Sequence, residues 1–423
     1  MTAFDVPKKM KYSDFYQFSE EQAKLGQSLF YDPILSGNGN ISCGTCHNHS
    51  QASGDGLSLG IGEGGVGIGP ERTAGTGSHR IKKRIPRNTP GLWNLGAKEY
   101  TTFFYDGRVS RADFYENGFN TPAQEWLPDG LSSLLAAQAL FPLTSQFEMA
   151  GDPGENQIGG AVYDRIDTAW SLLAKRVRII PAYGEMFVHA FDDIDDPSQI
   201  SIIHIANAIA AFEALEWRSI DSPFDNFLSG DKDALTKQQH RGMTLFYGDA
   251  GCSQCHSGPL LTDHSFYALG LPQFGPGRTR QWDMLVRDTG RMNATDRIED
   301  AYRFRTPSLK NVALTAPYGH NGAYPTLEGI VQHHLNPAAA YLAWQPEWAN
   351  LIPISWLESK DFLSFEDQRE MQRVQSKLDI TPRKFSNEQV ADIVEFLHAL
   401  TGEESISGRL GKPKRLLSDL RID

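Results

Sequence analysis

The sequence predicts a mainly α-helical protein made of two similar halves with long loops, and three observations carry that prediction. First, a short segment recurs: Leu25-Gly26-Gln27-Ser28-Leu29-Phe30-Tyr31 and Arg241-Gly242-Met243-Thr244-Leu245-Phe246-Tyr247 share glycine, leucine, phenylalanine and tyrosine in register. Second, each copy opens on a capping box, Ser19 with Gln22 and Thr236 with Gln239, whose side chains satisfy the free N–H groups of a helix start. Third, each half closes on apolar residues at helical spacing. These are Ile202, Ile205, Ile209 and Phe212 before Trp217, and Val390, Ile393, Val394, Leu397 and Leu400 after a Ser386/Gln389 box.

A chain of 423 residues exceeds the ~100–200 of a single domain, so two units are expected, 1–220 and 221–423, joined near Ser222-Pro223-Phe224-Asp225. No apolar run approaches the ~20 residues that cross a bilayer. Met1 to Asp14 lacks the apolar stretch of a secretory signal and reads as the start of a mature form. A net charge of −12 argues against nucleic acid and against an anionic membrane surface, since both need clustered Lys and Arg. A redox partner with a basic contact patch suits that field. Between Gly54 and Gly77 ten glycines fall in 24 residues, too many for a regular element, so a mobile loop is expected there.

All four cysteines lie in two C-x-x-C pairs, and each pair is followed at once by histidine: Cys43, Cys46 and His47, then Cys252, Cys255 and His256. C-x-x-C-H is the attachment signature of c-type haem, in which both thiols bond the porphyrin edge and the imidazole reaches the iron. A thioredoxin-type pair, a four-cysteine zinc site or structural disulfides would each leave both histidines idle. Two covalent haem c groups are therefore expected, and with them the periplasm, because attachment occurs outside the cytoplasmic membrane. An opening helix, C-x-x-C-H and a closing helix make the cytochrome c plan, so each half reads as a cytochrome c-like haem domain.

Further segments give a closer resemblance: LGQSLFYDPILSGNGNISCGTCH, IPRNTPGLWNLG, FFYDGR, the stretch from Gln138 to Glu148, SPFDNFLSGD, FRTPSLKNVALTAPYGHNG and the closing helix. In this order they resemble the bacterial di-haem cytochrome c peroxidase/MauG superfamily over nearly the whole chain. The resemblance implies a hydrogen peroxide pocket over the first haem, with Glu148 as acid/base, Gln138 orienting the ligand and Pro142 shaping the face. Proton transfer of this kind is what the reaction needs, because the departing oxygen leaves as water only once protonated. The resemblance also implies a calcium ion held by Asn88 and by carbonyl oxygens of Thr315 and Pro317, an oxygen set suited to that cation. Arg305 and His320 match positions near the haems, for propionate contacts or packing, and the family is often a homodimer.

Three departures bear on subclass. Where family peroxidases have a distal Met, and MauG a Tyr, counting from His320 reaches His334, with His333 beside it. Imidazole donates more strongly than thioether and favours higher iron oxidation states, so the second haem's potential is expected to fall. His79 lies near the position of a distal His that blocks the first iron in many peroxidases, one residue further from Asn88; the alternative is an open site as in MauG. Tyr105 stands where an inter-haem Trp relay is usual, with Trp93 as a substitute.

Three readings follow. One is a peroxidase reducing hydrogen peroxide with electrons from a small cytochrome c or cupredoxin; another is a MauG-like enzyme oxidising aromatic residues of a protein substrate. The third, a non-catalytic electron carrier, has no use for a proton-shuttling Glu148.

Overall fold

The computed structural model describes residues 6–279 and 285–421. Helices dominate, as expected, with two small antiparallel patches: Thr102–Phe103, Val109–Arg111 and Phe119–Asn120 in one, Phe266–Tyr267 and Phe304–Arg305 in the other. Both capping boxes of the opening helices form, with Ser19 and Thr236 accepting from Gln22 and Gln239. The closing helices run over Ile202–Glu216 and Asn387–His398.

Each opening helix crosses its closing helix at the repeated glycine. An added Cβ at Gly26 would fall 1.8 Å from Ala208 O, and one at Gly242 would fall 1.8 Å from Asp392 O. Only a residue without a side chain lets the backbones approach so closely. The aromatic residues that follow pack alike: ring centres are 5.2 Å apart for Phe30 and Phe212, and 5.1 Å for Phe246 and Phe396. Gly26→Ala is accordingly expected to destabilise the first half by ~1–3 kcal/mol or more, as overpacking does, read as a lowered denaturation midpoint.

A second repeat escaped the sequence reading. Thr89-Pro90-Gly91-Leu92-Trp93-Asn94 and Thr306-Pro307-Ser308-Leu309-Lys310-Asn311 share T-P-x-L-x-N. Both asparagines adopt left-handed backbone, φ 61° and 60°, which Asn tolerates better than most residues. Each one pins the chain just after a closing helix. Asn94 N–H donates to Trp217 O and Asn311 N–H to Leu400 O, while their Oδ1 atoms accept from the N–H groups of Ser219 and Gly402.

Two large apolar cores result, with two smaller clusters around Tyr302 and Ile354. One draws on residues from Met10 to Ile220, the other on residues from Phe224 to Leu400. Residues from each half also cross over: Leu260 and Leu416 lie in the first core and Leu59 in the second. The C-terminal tail returns to the first half, where Gln27 Nε2 donates to Leu410 O and Ser418 Oγ donates to Asp32. Local patterning held no signal for this return, because it depends on polar contacts between residues nearly 400 positions apart. Buried ion pairs also link the halves: Arg87 spans Asp106 (2.7 Å) and Asp288 (2.7 Å), and Arg84 grips Asp361 (2.8 Å).

Candidate functional site

At the first attachment motif a single helical turn, Cys43–Cys46, delivers both thiols, and His47 N–H closes it on Cys43 O at 2.9 Å. Gly44 lies flat beneath the Tyr31 ring, where a Cβ would meet ring carbon at 2.3 Å. His47 Nδ1 donates to Ser53 O at 2.8 Å, so its lone pair resides on Nε2, the arrangement that orients an imidazole for a metal. Burial pushes its pKa down to about 4, so the ring is neutral.

The second motif repeats this design. His256 N–H bonds Cys252 O at 2.9 Å, and His256 Nδ1 donates to Leu261 O at 3.1 Å. The four cysteines form no disulfide. Cys252, Cys255, His256 and His334 line one cavity of about 520 Å³, within the range for a cofactor-sized ligand.

His334 and His333 have different surroundings, although they are neighbours on the helix Leu327–Leu335. His333 is wholly buried, with Tyr324 OH on Nδ1 and Leu269 O on Nε2, both at 2.8 Å. It has no nitrogen left to offer. His334 donates from Nδ1 to Ile330 O at 2.8 Å and faces the cavity, its ring centre 6.3 Å from that of His256. Two imidazole–metal bonds of ~2.0 Å, with each ring centre roughly 1.1 Å behind its nitrogen, require a separation of about 6 Å. The cavity, both thiols and the imidazole pair therefore fit a six-coordinate haem.

Residues of the first half complete the wall of this cavity. Trp93 and Tyr105 both line it, and Tyr105 O accepts from Arg305 N–H at 2.8 Å. The Trp93 Nε1–H has no hydrogen-bond partner among the described residues. Burial pushes the Tyr105 phenol up to about 12. Arg305 donates from Nε to Phe104 O and from Nη1 to Thr306 O. His320 stacks on Phe304 with ring centres 3.6 Å apart, and burial pushes its pKa down to about 4.

Asn88, Thr315 and Pro317, far apart in sequence, come together on the same cavity wall. Asn88 donates from Nδ2 to Leu57 O at 2.8 Å, so Oδ1 is the atom it has to offer a cation.

Gln138, Pro142 and Glu148 lie on three consecutive elements: the helix Leu134–Ala139, a tight turn Pro142–Thr144 and a wide turn Gln146–Ala150. Burial raises the Glu148 pKa, although Arg108 and Arg278 pull it the other way. The glycine-rich segment forms no regular helix or strand beyond short turns, as expected, but its first part is packed rather than free: Leu57, Leu59 and Ile61 are buried. Gly62 sits against the Glu148 turn so closely that a Cβ would fall 1.9 Å from Phe147 O. His79 ends a short turn at the surface, with its side chain exposed.

Two polar clusters were missed in the sequence. Arg108, which stacks on Phe104 at 3.5 Å, shares Asp106 with Arg87 and lies within electrostatic reach of Glu148. Beside the first motif, Tyr31 OH bonds His49 Nδ1, and His49 Nε2 bonds Glu216 at 2.7 Å. The D-G-R run and a histidine two residues after C-x-x-C-H were the only local hints.

Two C-x-x-C-H motifs with matched imidazole geometry on a mainly helical frame define a di-haem c-type oxidoreductase. A family model described as di-haem cytochrome c peroxidase matches residues 20–233. The cytochrome c551 peroxidase of Pseudomonas aeruginosa is 32% identical over 316 residues, covering 74% of this chain and 71% of its own. The methylamine utilization protein MauG of Methylorubrum extorquens is 28% identical over 402 residues, covering 95% and 84%. Among solved structures, a MauG-like protein associated with microbial copper homeostasis matches with a TM-score of 0.59 and 25% identity over 96% of both chains. The diheme peroxidase BthA from Burkholderia thailandensis shares the fold, with a TM-score of 0.57 and 20% identity over 95% of this chain and 92% of that one. The chain belongs to the di-haem cytochrome c peroxidase family. Membership implies haem c as its cofactor. Among the described residues no helix is long and apolar enough to cross a membrane.

Proposed function

We propose that this protein is a periplasmic enzyme that activates hydrogen peroxide at a haem held by Cys43, Cys46 and His47, in unit 1–220. Cys252, Cys255, His256 and His334 would hold a second haem in unit 221–423, which would share the oxidising equivalents. Haem, when bound, supplies an iron that binds peroxide and changes oxidation state. The chain's own residues manage protons and position. His47 presents Nε2 because Nδ1–H is engaged by Ser53 O. Glu148 takes the proton from one peroxide oxygen and hands it to the other, so that oxygen departs as water. Two further electrons and two protons complete the reduction of H2O2 to two waters. Gln138 orients the peroxide, and Pro142 adds no competing donor to that face.

The observation that carries this reading is the placement of Glu148, whose pKa burial raises against the pull of Arg108 and Arg278, on a turn packed against the glycine-rich segment. The exposure of His79 supports an open first iron in the resting enzyme. Low-temperature EPR of the oxidised holoenzyme is accordingly expected to show one high-spin and one low-spin ferric signal. Two low-spin signals would defeat the open-site assignment and favour His79 as a ligand. Arg305 and His320 are proposed to contact haem propionates. Asn88 Oδ1 and the carbonyls of Thr315 and Pro317 are proposed to hold calcium.

In the peroxidase reading the electrons arrive from a small cytochrome c or cupredoxin, whose basic contact patch would complement a net charge of −12. A second reading, oxidation of Trp or Tyr residues in a protein partner, is favoured by the His256/His334 pair, which suits an iron held at higher oxidation states. Mixing the enzyme with peroxide and each partner separates the two. Rapid oxidation of a reduced cytochrome without change in its mass supports the first; a mass change in the partner protein supports the second.

A further inference from the structure

The closing helices of the two halves correspond position by position, and at one buried position, near an attachment motif in the first half and lining the cavity in the second, they differ in chemical kind. An added Cβ at Gly26 would lie 2.8 Å from Phe212 Cβ, and one at Gly242 would lie 2.9 Å from Phe396 Cβ, so Phe212 matches Phe396 and Glu213 matches Leu397. Leu397 lines the cavity that holds His256 and His334. Its counterpart Glu213 is only 6% exposed and lies within electrostatic reach of Cys43, at the first attachment motif. Glu213 Oε2 is buried without a hydrogen-bond partner, and no Lys, Arg or His among the described residues forms an ion pair with the carboxyl. Packing alone is served by leucine, as the second half shows. A buried, unpartnered carboxyl avoids the cost of desolvating its charge by keeping its proton, and burial pushes Glu213 up to about 8.

We propose that Glu213 is a proton-holding acid of the first haem site, releasing its proton to solvent when that site loses an electron and recovering it when an electron returns. The oxidant is hydrogen peroxide, which takes two electrons and two protons to give two waters; the electron returns from the enzyme's reductant. The proposal rests on haem attachment at Cys43 and Cys46.

The ionisable groups around Glu213 leave it to act alone. From the attachment turn it meets Cys43, which is a thioether once haem is bound. The opening helix carries Tyr31, bonded to His49, and exposed Glu20, Glu21 and Lys24. One turn along its own helix, Glu216 is already matched by His49 and by N–H groups of Arg409, Leu410 and Gly411. The helix Leu134–Ala139 has no ionisable side chain. On Ile166–Arg178, Asp167 pairs with Arg165, Arg176 and Arg178 bond carbonyls of Ser36, Gly37 and Ile200, and Lys175 is exposed.

The test is a spectroelectrochemical titration of the holoenzyme at several pH values, with haem stoichiometry measured for each variant so that lost attachment is told apart from lost coupling. In the wild type the midpoint potential of the first haem is expected to fall as pH rises through the range around 8. E213Q, and E213L with the residue found at the matched position 397, are expected to abolish that slope and leave the second haem unchanged. An E213Q enzyme with the wild-type slope, or a wild type without one, overturns the proposal. An oxidised-minus-reduced infrared difference spectrum of the wild type needs no variant: it must show loss of a protonated carboxyl band on oxidation, and its absence overturns the proposal as well.

Discussion

Replacing Glu148 by glutamine is expected to lower peroxide turnover by ~10²–10⁴-fold, the usual worth of a positioned acid/base, with both haems still attached. Glutamine keeps the shape of the side chain but cannot shuttle a proton, so peroxide can bind without its departing oxygen becoming a good leaving group. The pH profile gives the sign. As the base that first accepts a proton, Glu148 must be ionised, and burial raises its pKa despite Arg108 and Arg278. Turnover is therefore lost on the acid side at a pH above the ordinary glutamate range. Substituting Arg108 by glutamine removes part of the opposing pull and should move that limb higher still. Stopped-flow decay of H2O2 across pH measures both effects; an E148Q enzyme as fast as wild type ends the peroxide reading.

The two adjacent histidines should part company under mutation. His334→Ala is expected to convert the second haem from low to high spin and to leave the oxidising equivalents confined to the first site, seen by EPR after peroxide addition. His333→Ala should preserve the low-spin signal but cost ~2–4 kcal/mol. It strands Tyr324 OH and Leu269 O and opens a void in a fully buried site. If the spectral change instead follows His333, the second haem's ligand has been misassigned.

Much of the site was readable from local spacing, because covalent attachment imposes it. Two thiols and an imidazole on one turn must follow C-x-x-C-H, and the capping boxes and helical periodicity needed only neighbouring residues. Other features were hidden for definite reasons. The glycine-rich segment reads as a mobile loop by composition, yet its interspersed Leu57, Leu59 and Ile61 are buried, and its small Gly62 is demanded by contact with the Glu148 turn. Arg87 is one basic residue among forty Lys and Arg until Asp106 and Asp288 close on it from both halves. Glu213 passes for the polar edge of an amphipathic helix. Only the crossing at Gly26 turns it inward.

Residue order by itself determined the mainly helical class, the twofold repeat, the number of haem motifs and the histidine that follows each, since all are set by contacts within a few positions. Tertiary structure decided which of His333 and His334 faces His256, because neighbours on a helix point about 100° apart and only the packing of Tyr324 and Leu269 selects between them. It likewise decided that residues of the first half, Trp93 and Tyr105, wall the second cavity, and that the C-terminal tail returns to Glu216. Those features arise from contacts between residues hundreds of positions apart, which no local pattern in the chain records.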